Sequence, residues 1–280
     1  MLKRLLFCAA VAISYSKLAI ASADSLAVNS KPAPIAQSSP EIKVGVHDAR
    51  PLAWKTAKGD IRGITPYLAT QLIHAWRPDS TLQFKLESAE RMIQEVSRGQ
   101  TDLIYAISDP RLETDAIKIK RIATVPLTLW SLAEDPIHEF NELNNASIAT
   151  LPAYRNMPYL RNVNIVQLPA TKNFLRLLLA RRVKGVITFP AMFELMIANE
   201  GIARDRLLRI DIAEVDIFLW LSKKSPLSKY TEELKAIAEY ANSPEVLNAY
   251  LKKVNISRTL ACDTNASAQP ARDSRVTQCH

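Results

Sequence analysis

The chain has 280 residues, is 48% apolar and carries a formal net charge of +8. That length and apolar share bury a sizeable core, as one large domain or two small ones. The charge is mild for the size and no basic–aromatic patch accompanies it, so no nucleic-acid partner is implied.

The first element is a targeting segment. Lys3 and Arg4 precede an apolar run, Leu5 to Ile13, and Ala21-Ser22-Ala23 supplies small residues for cleavage. This is the pattern of a secretory signal peptide over residues 1–23, and the run is too short to span a bilayer. Cleavage removes Lys3, Arg4 and Lys17 and no acid, which leaves a net charge of +5. The mature protein is expected to be periplasmic. Residues 24–40, rich in Ser, Pro and Ala without periodicity, read as a flexible leader.

From residue 41 strands and helices alternate. "IKVGV" (42–46) reads as a strand. Thr65 and Pro66 open a helix whose stripe is Ile64, Leu68, Leu72 and Trp76, with Thr65 expected as its cap. "LQFKL" (82–86) is a strand, and a helix carrying Met92, Ile93 and Val96 ends at Gly99. "DLIYAI" (102–107) is the next strand, and 123–133 is a long extended segment. Short strands follow at 147–150 and 165–168. A helix is expected from a Thr171 cap to Gly185, then strand 186–189, then a helix closed by Gly201. Strand 216–222 and two amphipathic helices complete the set, the last opened by Ser243 and Pro244. Residues 257–280 read as a loose tail. Alternating units argue an α/β fold with mainly parallel sheets flanked by helices. In such sheets ligands sit at the carboxyl ends of the strands.

Cys8 falls inside the signal segment. Cys262 and Cys279 remain, and in an exported chain they are expected to pair as a disulfide, both free being the alternative. No Cys/His cluster has zinc-site spacing and no P-loop or nucleophile elbow appears, so no metal, cofactor or catalysis is expected.

In order along the chain, "EIKVGV", "KGDIRGITPYLATQL", "MIQEVSRGQTDLIYA", "ISDPR", "ATVPL" and "IFLWLSKKSPLSKYTEELKAI" resemble motifs of the bacterial extracytoplasmic solute-binding proteins, family 3, amino-acid-binding type. The resemblance covers about residues 42–252. It implies a two-lobe periplasmic-binding-protein-like fold (type 2), with a ligand cleft between the lobes. Lobe 1 would be 41–125 plus 217–256, lobe 2 would be 130–212, and a hinge would fall near Thr128–Ala133 and Ala213–Phe218.

The resemblance also nominates ligand-binding residues. Arg111 stands where the family clamps the ligand's α-carboxylate, a task suited to a planar guanidinium fork; otherwise it is a solvated charge. Ser108 adds a hydroxyl or merely caps a turn. Asp48 and Trp54 stand in the first loop, Trp54 to stack on a ligand or to pack the lobe. Tyr154 and Arg155 occupy the opening of the second lobe, and Thr188 lies beside Phe189. Three positions depart from the family. Ala106 replaces a hydroxyl, the second lobe opens without glycine, and Phe189 replaces the aspartate that pairs with the ligand's ammonium. An unpaired, desolvated ammonium is costly, so an anionic or aromatic solute suits these residues better than a standard α-amino acid.

The function expected is capture of a small, anionic or amino-acid-like solute for an inner-membrane ABC permease, by a monomer with no nucleic-acid partner. The alternatives are a sensor or accessory binding module of the same fold and, behind it, a dehydratase-type enzyme.

Overall fold

The computed structural model describes residues 41–143, 146–154, 160, 163–168 and 173–253, the side chains of Asn141, Ala153 and Lys253 excepted. The expectations for residues 1–40, Arg155, Thr171 and the Cys262–Cys279 pair lie outside them. No helix among the described residues is long and apolar enough to cross a membrane.

Three parallel strands build the first half. They are β1 (Glu41–His47), β4 (Thr81–Glu87) and β5 (Leu103–Ile107), with β1 in the middle. A two-stranded ribbon, β2 (Trp54–Lys55) and β3 (Ile61–Arg62), precedes the first helix. Helix α1 (Ile64–Trp76) packs Leu68, Ala69, Leu72 and Ile73 against one sheet face, as the four-residue apolar stripe requires. Its cap is Gly63 rather than Thr65. The first amide donors of α1 are met by Pro51 and Leu52 carbonyls, and the Thr65 hydroxyl also donates to Leu52 O. With loop carbonyls in place, no side-chain cap is needed. A side chain at residue 63 would meet Leu52 O at 2.1 Å, and φ is +143°, so glycine is required there.

Helix α2 (Ala89–Arg98) covers the other face. It is capped by Ser88 and, as expected, ends at Gly99, which lies in the left-handed region. Helix α3 (Pro110–Asp115) follows β5, with Asp109 as its cap and Pro110 in its first turn. Asp102 ties three strands together. Its carboxylate accepts the Lys43 amide and the Ser225 hydroxyl, and its carbonyl accepts the Ser222 amide.

The second half repeats the plan. Strands β7 (Ser147–Thr150), β8 (Asn164–Gln167) and β9 (Gly185–Thr188) are parallel, with β7 in the middle. Helices α4 (Phe174–Leu179) and α5 (Pro190–Asn199) flank them. Helix α4 ends before Gly185, because Arg181 turns into the left-handed region at φ 54°. Gly185 instead begins β9, where a side chain would meet Leu129 at 2.7 Å.

Two long antiparallel strands join the halves, β6 (Ala116–Leu132) and β10 (Leu207–Ser222). Both begin earlier than the sequence pattern suggests. Ile119 and Ile122 are buried, Arg121 between them stays exposed and Lys120 is held by Glu239, so "AIKIKRI" works as a half-buried strand. The result is one eight-stranded sheet in the order β4-β1-β5-β10-β6-β9-β7-β8. Helices α6 (Thr231–Ala241) and α7 (Pro244–Lys253) return to pack on α1. One buried cluster under α1 and α6 belongs to the first half. The other runs from Met92, Ile104 and Trp220 through to Trp130, Phe174 and Phe193, so it bridges both halves.

Candidate functional site

Strand register locates where the two halves meet. Ile217 of β10 pairs with Ile107, the last residue of β5, and with Ala123 of β6. Further along β6, Thr128 pairs with Thr188, the last residue of β9. Strand β6 is antiparallel to β9 and runs in the direction of β5. The carboxyl ends of the two parallel trios therefore face each other along the β6/β10 ribbon. Between them only Thr124–Leu127 and the facing Ala213–Asp216 pair with nothing but one another. Four residues of strand span about 13 Å. The inter-half segment of β6 thus precedes Thr128–Ala133, since Thr128, Leu129 and Trp130 are held in the second half by β9.

The candidate residues collect at these carboxyl ends, where α/β sheets place ligands. Asp48 is exposed just after β1. Trp54 is half-buried in β2, with the Arg50 guanidinium 5.2 Å from its ring. Ser108 is exposed after β5. Lys118 and then Ser108 bond the Glu113 carboxyl and hold it below the usual carboxylate range.

Arg111 is engaged on both edges of its fork. Its Nε and Nη2 donate to Asp109 at 2.9 and 3.0 Å, and Nη1 and Nη2 donate to Glu90 at 2.5 and 3.1 Å. Asp109 is buried and also accepts the Arg111 amide as helix cap. The Arg111 bond keeps the Glu90 carboxyl below its ordinary range, and the pairings push the guanidinium further up. Arg111 is therefore held on both edges by the chain's own carboxylates. Sequence reasoning missed Glu90, which lies 21 positions away. A carboxylate in the first turn of the preceding helix is the signal that points to it.

The second-half group is apolar. Tyr154 is buried, and burial pushes its hydroxyl well above the usual range. Its ring meets Phe189 edge-on with centroids 5.5 Å apart. Thr188 is wholly buried, and its carbonyl accepts the Thr128 hydroxyl at 2.8 Å. Its own hydroxyl has no hydrogen-bond partner among the described residues. Ala106, Phe189 and Phe218 are partly buried against the bridging core. The turn 152–154 that carries Tyr154 packs against α2, the helix that carries Glu90. Two grooves lined by described residues lie elsewhere. One, of about 400 Å³, runs along α2 and includes Glu90; the other, of about 550 Å³, lies between α4 and α5.

No family model matches the sequence, and no curated protein is similar to it. Solved structures are similar in fold. An ancestral arginine-binding protein bound to arginine superposes with a TM-score of 0.64 at 13% identity, covering 77% of this chain and 98% of its own. A structure from Streptococcus mutans bearing on glutathione import gives 0.67 at 12%, over 80% and 98%. A solute receptor for L-cysteine of Neisseria gonorrhoeae gives 0.65 at 15%, over 78% and 91%. The chain has the two-lobe, type 2 periplasmic-binding-protein fold. In that fold the two halves are the lobes and the β6/β10 ribbon is the connection between them.

Proposed function

We propose that the chain is a family 3 extracytoplasmic solute-binding protein, exported by residues 1–23, that captures a small anionic or amino-acid-like solute and delivers it to an ABC importer. Lobe 1 comprises 41–125 plus 217–256 and lobe 2 comprises 130–212. The observation that carries this reading is the opposition of the two sets of strand carboxyl ends across Thr124–Leu127 and Ala213–Asp216. The arginine-, cysteine- and glutathione-related neighbours support it. Asp48, Trp54, Ser108 and Arg111 serve the ligand from lobe 1, and Tyr154, Arg155 and Thr188 from lobe 2. Closure bends the ribbon at its unsupported residues, a hinge motion.

Native mass spectrometry of protein purified from its own host tests the proposal, together with thermal shifts against arginine, cysteine, glutathione and simple carboxylates. A retained solute, or a melting shift that grows with solute concentration, is expected by mass action on the folded state. Neither a retained mass nor any shift overturns it. A second reading is a sensor or accessory module of the same fold. It is favoured by the Arg111 fork, both edges of which are held by the chain's own carboxylates. That module binds a protein in pull-down and shifts with no solute.

A further inference from the structure

We propose that Glu90 is an internal competitor for the carboxylate of an external ligand at Arg111, so that displacing Glu90 is the step that admits the solute. This rests on the solute-binding reading and names the residue that tunes it.

The two carboxylates on Arg111 are not equivalent. The Asp109 side chain is 2% exposed, caps α3, and fixes the Nε/Nη2 edge of the guanidinium. Glu90 takes the Nη1/Nη2 edge from a neighbouring helix, and its side chain is 36% exposed. One edge is thus built in, and the other is presented toward solvent and filled by a flexible side chain. Exposed ion pairs are weak because solvent competes for both partners. Exchange of one carboxylate for another also leaves the Arg111 charge paired throughout, so no buried charge is stranded. A planar fork accepts an external carboxylate with the same two-point geometry as Glu90.

Glu90 also has somewhere to go. It forms part of the wall of the groove along α2, beside Ser88, Arg91, Gln94 and Arg98, and Arg111 does not line that groove. Gln94 already donates to Glu90 from one turn on, at 3.1 Å. Rotation of Glu90 toward Gln94 and Arg91 frees the outer edge of Arg111 while Asp109 keeps the guanidinium in position. The vacated position lies beside α2, which touches the Tyr154 turn of the other lobe. A carboxylate arriving there meets Arg111 from lobe 1, and the lobe 2 turn that carries Tyr154 packs on the same helix. The ligand class is a small molecule with one carboxylate and an apolar or aromatic body.

Competition makes a prediction with a sign. If Glu90 holds Arg111 nine-tenths of the time, it weakens ligand binding about tenfold. The full-length protein and its Glu90→Ala variant are titrated by calorimetry with benzoate, L-arginine, L-cysteine and glutathione. Glu90→Ala is expected to bind at least one of these about tenfold more tightly than wild type, and Arg111→Met in that background to abolish the gain. Glu90→Gln keeps the side-chain volume and is expected to shift affinity the same way by less, so it decides the question if Glu90→Ala does not fold. Unchanged affinity in both Glu90 variants, or a gain that survives loss of Arg111, overturns the proposal. A wild type that retains a host solute while neither variant gains affinity defeats the role of Glu90 alone. A wild type that binds no solute while Glu90→Ala gains affinity through Arg111 supports the role of Glu90 and defeats the transport reading instead.

Discussion

The two lobes carry opposite chemistry at the same topological place. At the carboxyl end of β5 the chain concentrates charge, with Arg111 between Asp109 and Glu90, and Lys118 on Glu113. At the carboxyl end of β9 it concentrates rings and hydroxyls, with Tyr154 against Phe189, and Thr128 between the Trp130 indole and the Thr188 carbonyl. Charges in lobe 1 are satisfied without lobe 2, so lobe 1 can hold its geometry in an open cleft. The rings of lobe 2 are already withdrawn from water, Tyr154 buried and Phe189 partly buried in the cluster that spans both lobes, so that side holds the lobes together by apolar contact. On the proposed solute-binding reading, orientation of a ligand would fall to lobe 1 and its enclosure to lobe 2.

The largest expected effect tests whether the bridging core makes the lobes one cooperative unit. Trp130 is wholly buried, lies 4.8 Å from the Phe193 ring, and donates its indole N–H to Thr128. Trp130→Ala is expected to cost about 3–5 kcal/mol, read by urea denaturation. Because one apolar cluster spans both lobes, a single transition should persist. A split into two transitions would break the comparison by showing that lobe 2 melts alone.

The next effect belongs to lobe 1. His47 ends β1 and is buried, and burial lowers its pKa from 6.5 to about 4. The unfolded chain binds this proton below pH 6.5, whereas the folded chain resists it down to about pH 4. The contribution of neutral His47 is therefore complete above pH 6.5 and is lost as pH falls toward 4. It amounts to at most about 3 kcal/mol, at roughly 1.4 kcal/mol per pH unit. Urea midpoints at pH 7 and pH 4.5 measure it, and His47→Asn should flatten the difference. An equal slope in both proteins would remove this asymmetry between the lobes.

Asp102 sharpens the contrast in how the lobes are tied. It bonds the Lys43 amide and the Ser225 hydroxyl from a nearly buried position. Asp102→Ala leaves both donors unmet and is expected to cost about 1–3 kcal/mol, with the loss of amide-exchange protection concentrated in β1, β5 and β10. Uniform loss across both lobes would count against a lobe 1 tie.

Much of this was legible in the sequence. The apolar stripe of α1 and the Gly99 end of α2 announce their helices, whereas the short helix α3, read only as a turn around Pro110, went unannounced. Asp102, noticed as part of a motif, proves to be a structural tie. What was not legible came from partners distant in the chain. The start of α1 at Gly63 depends on Pro51 and Leu52 carbonyls, and the early start of β6 depends on β10 pairing with it some hundred positions later. Arg111 could be nominated as an anion holder, but the carboxylate that fills it comes from another helix. Local patterns report elements and faces, whereas partner choice is a tertiary outcome.

Thr188 carries the smallest stability change and separates its two possible roles. Its hydroxyl is buried without a partner among the described residues, at the very end of β9. An orphan hydroxyl costs stability, so the isosteric Thr188→Val should leave the fold unchanged or stabilise it by up to about 1 kcal/mol. If the hydroxyl is kept for a ligand, the same change should weaken solute binding by about 1 kcal/mol or more, seen as a several-fold rise in Kd. Gain in stability with loss of affinity is the expected pair, because a buried hydroxyl left without a partner is compensated only when a solute bonds to it. Gain in stability with unchanged affinity would assign lobe 2 to enclosure alone and leave every polar contact to lobe 1.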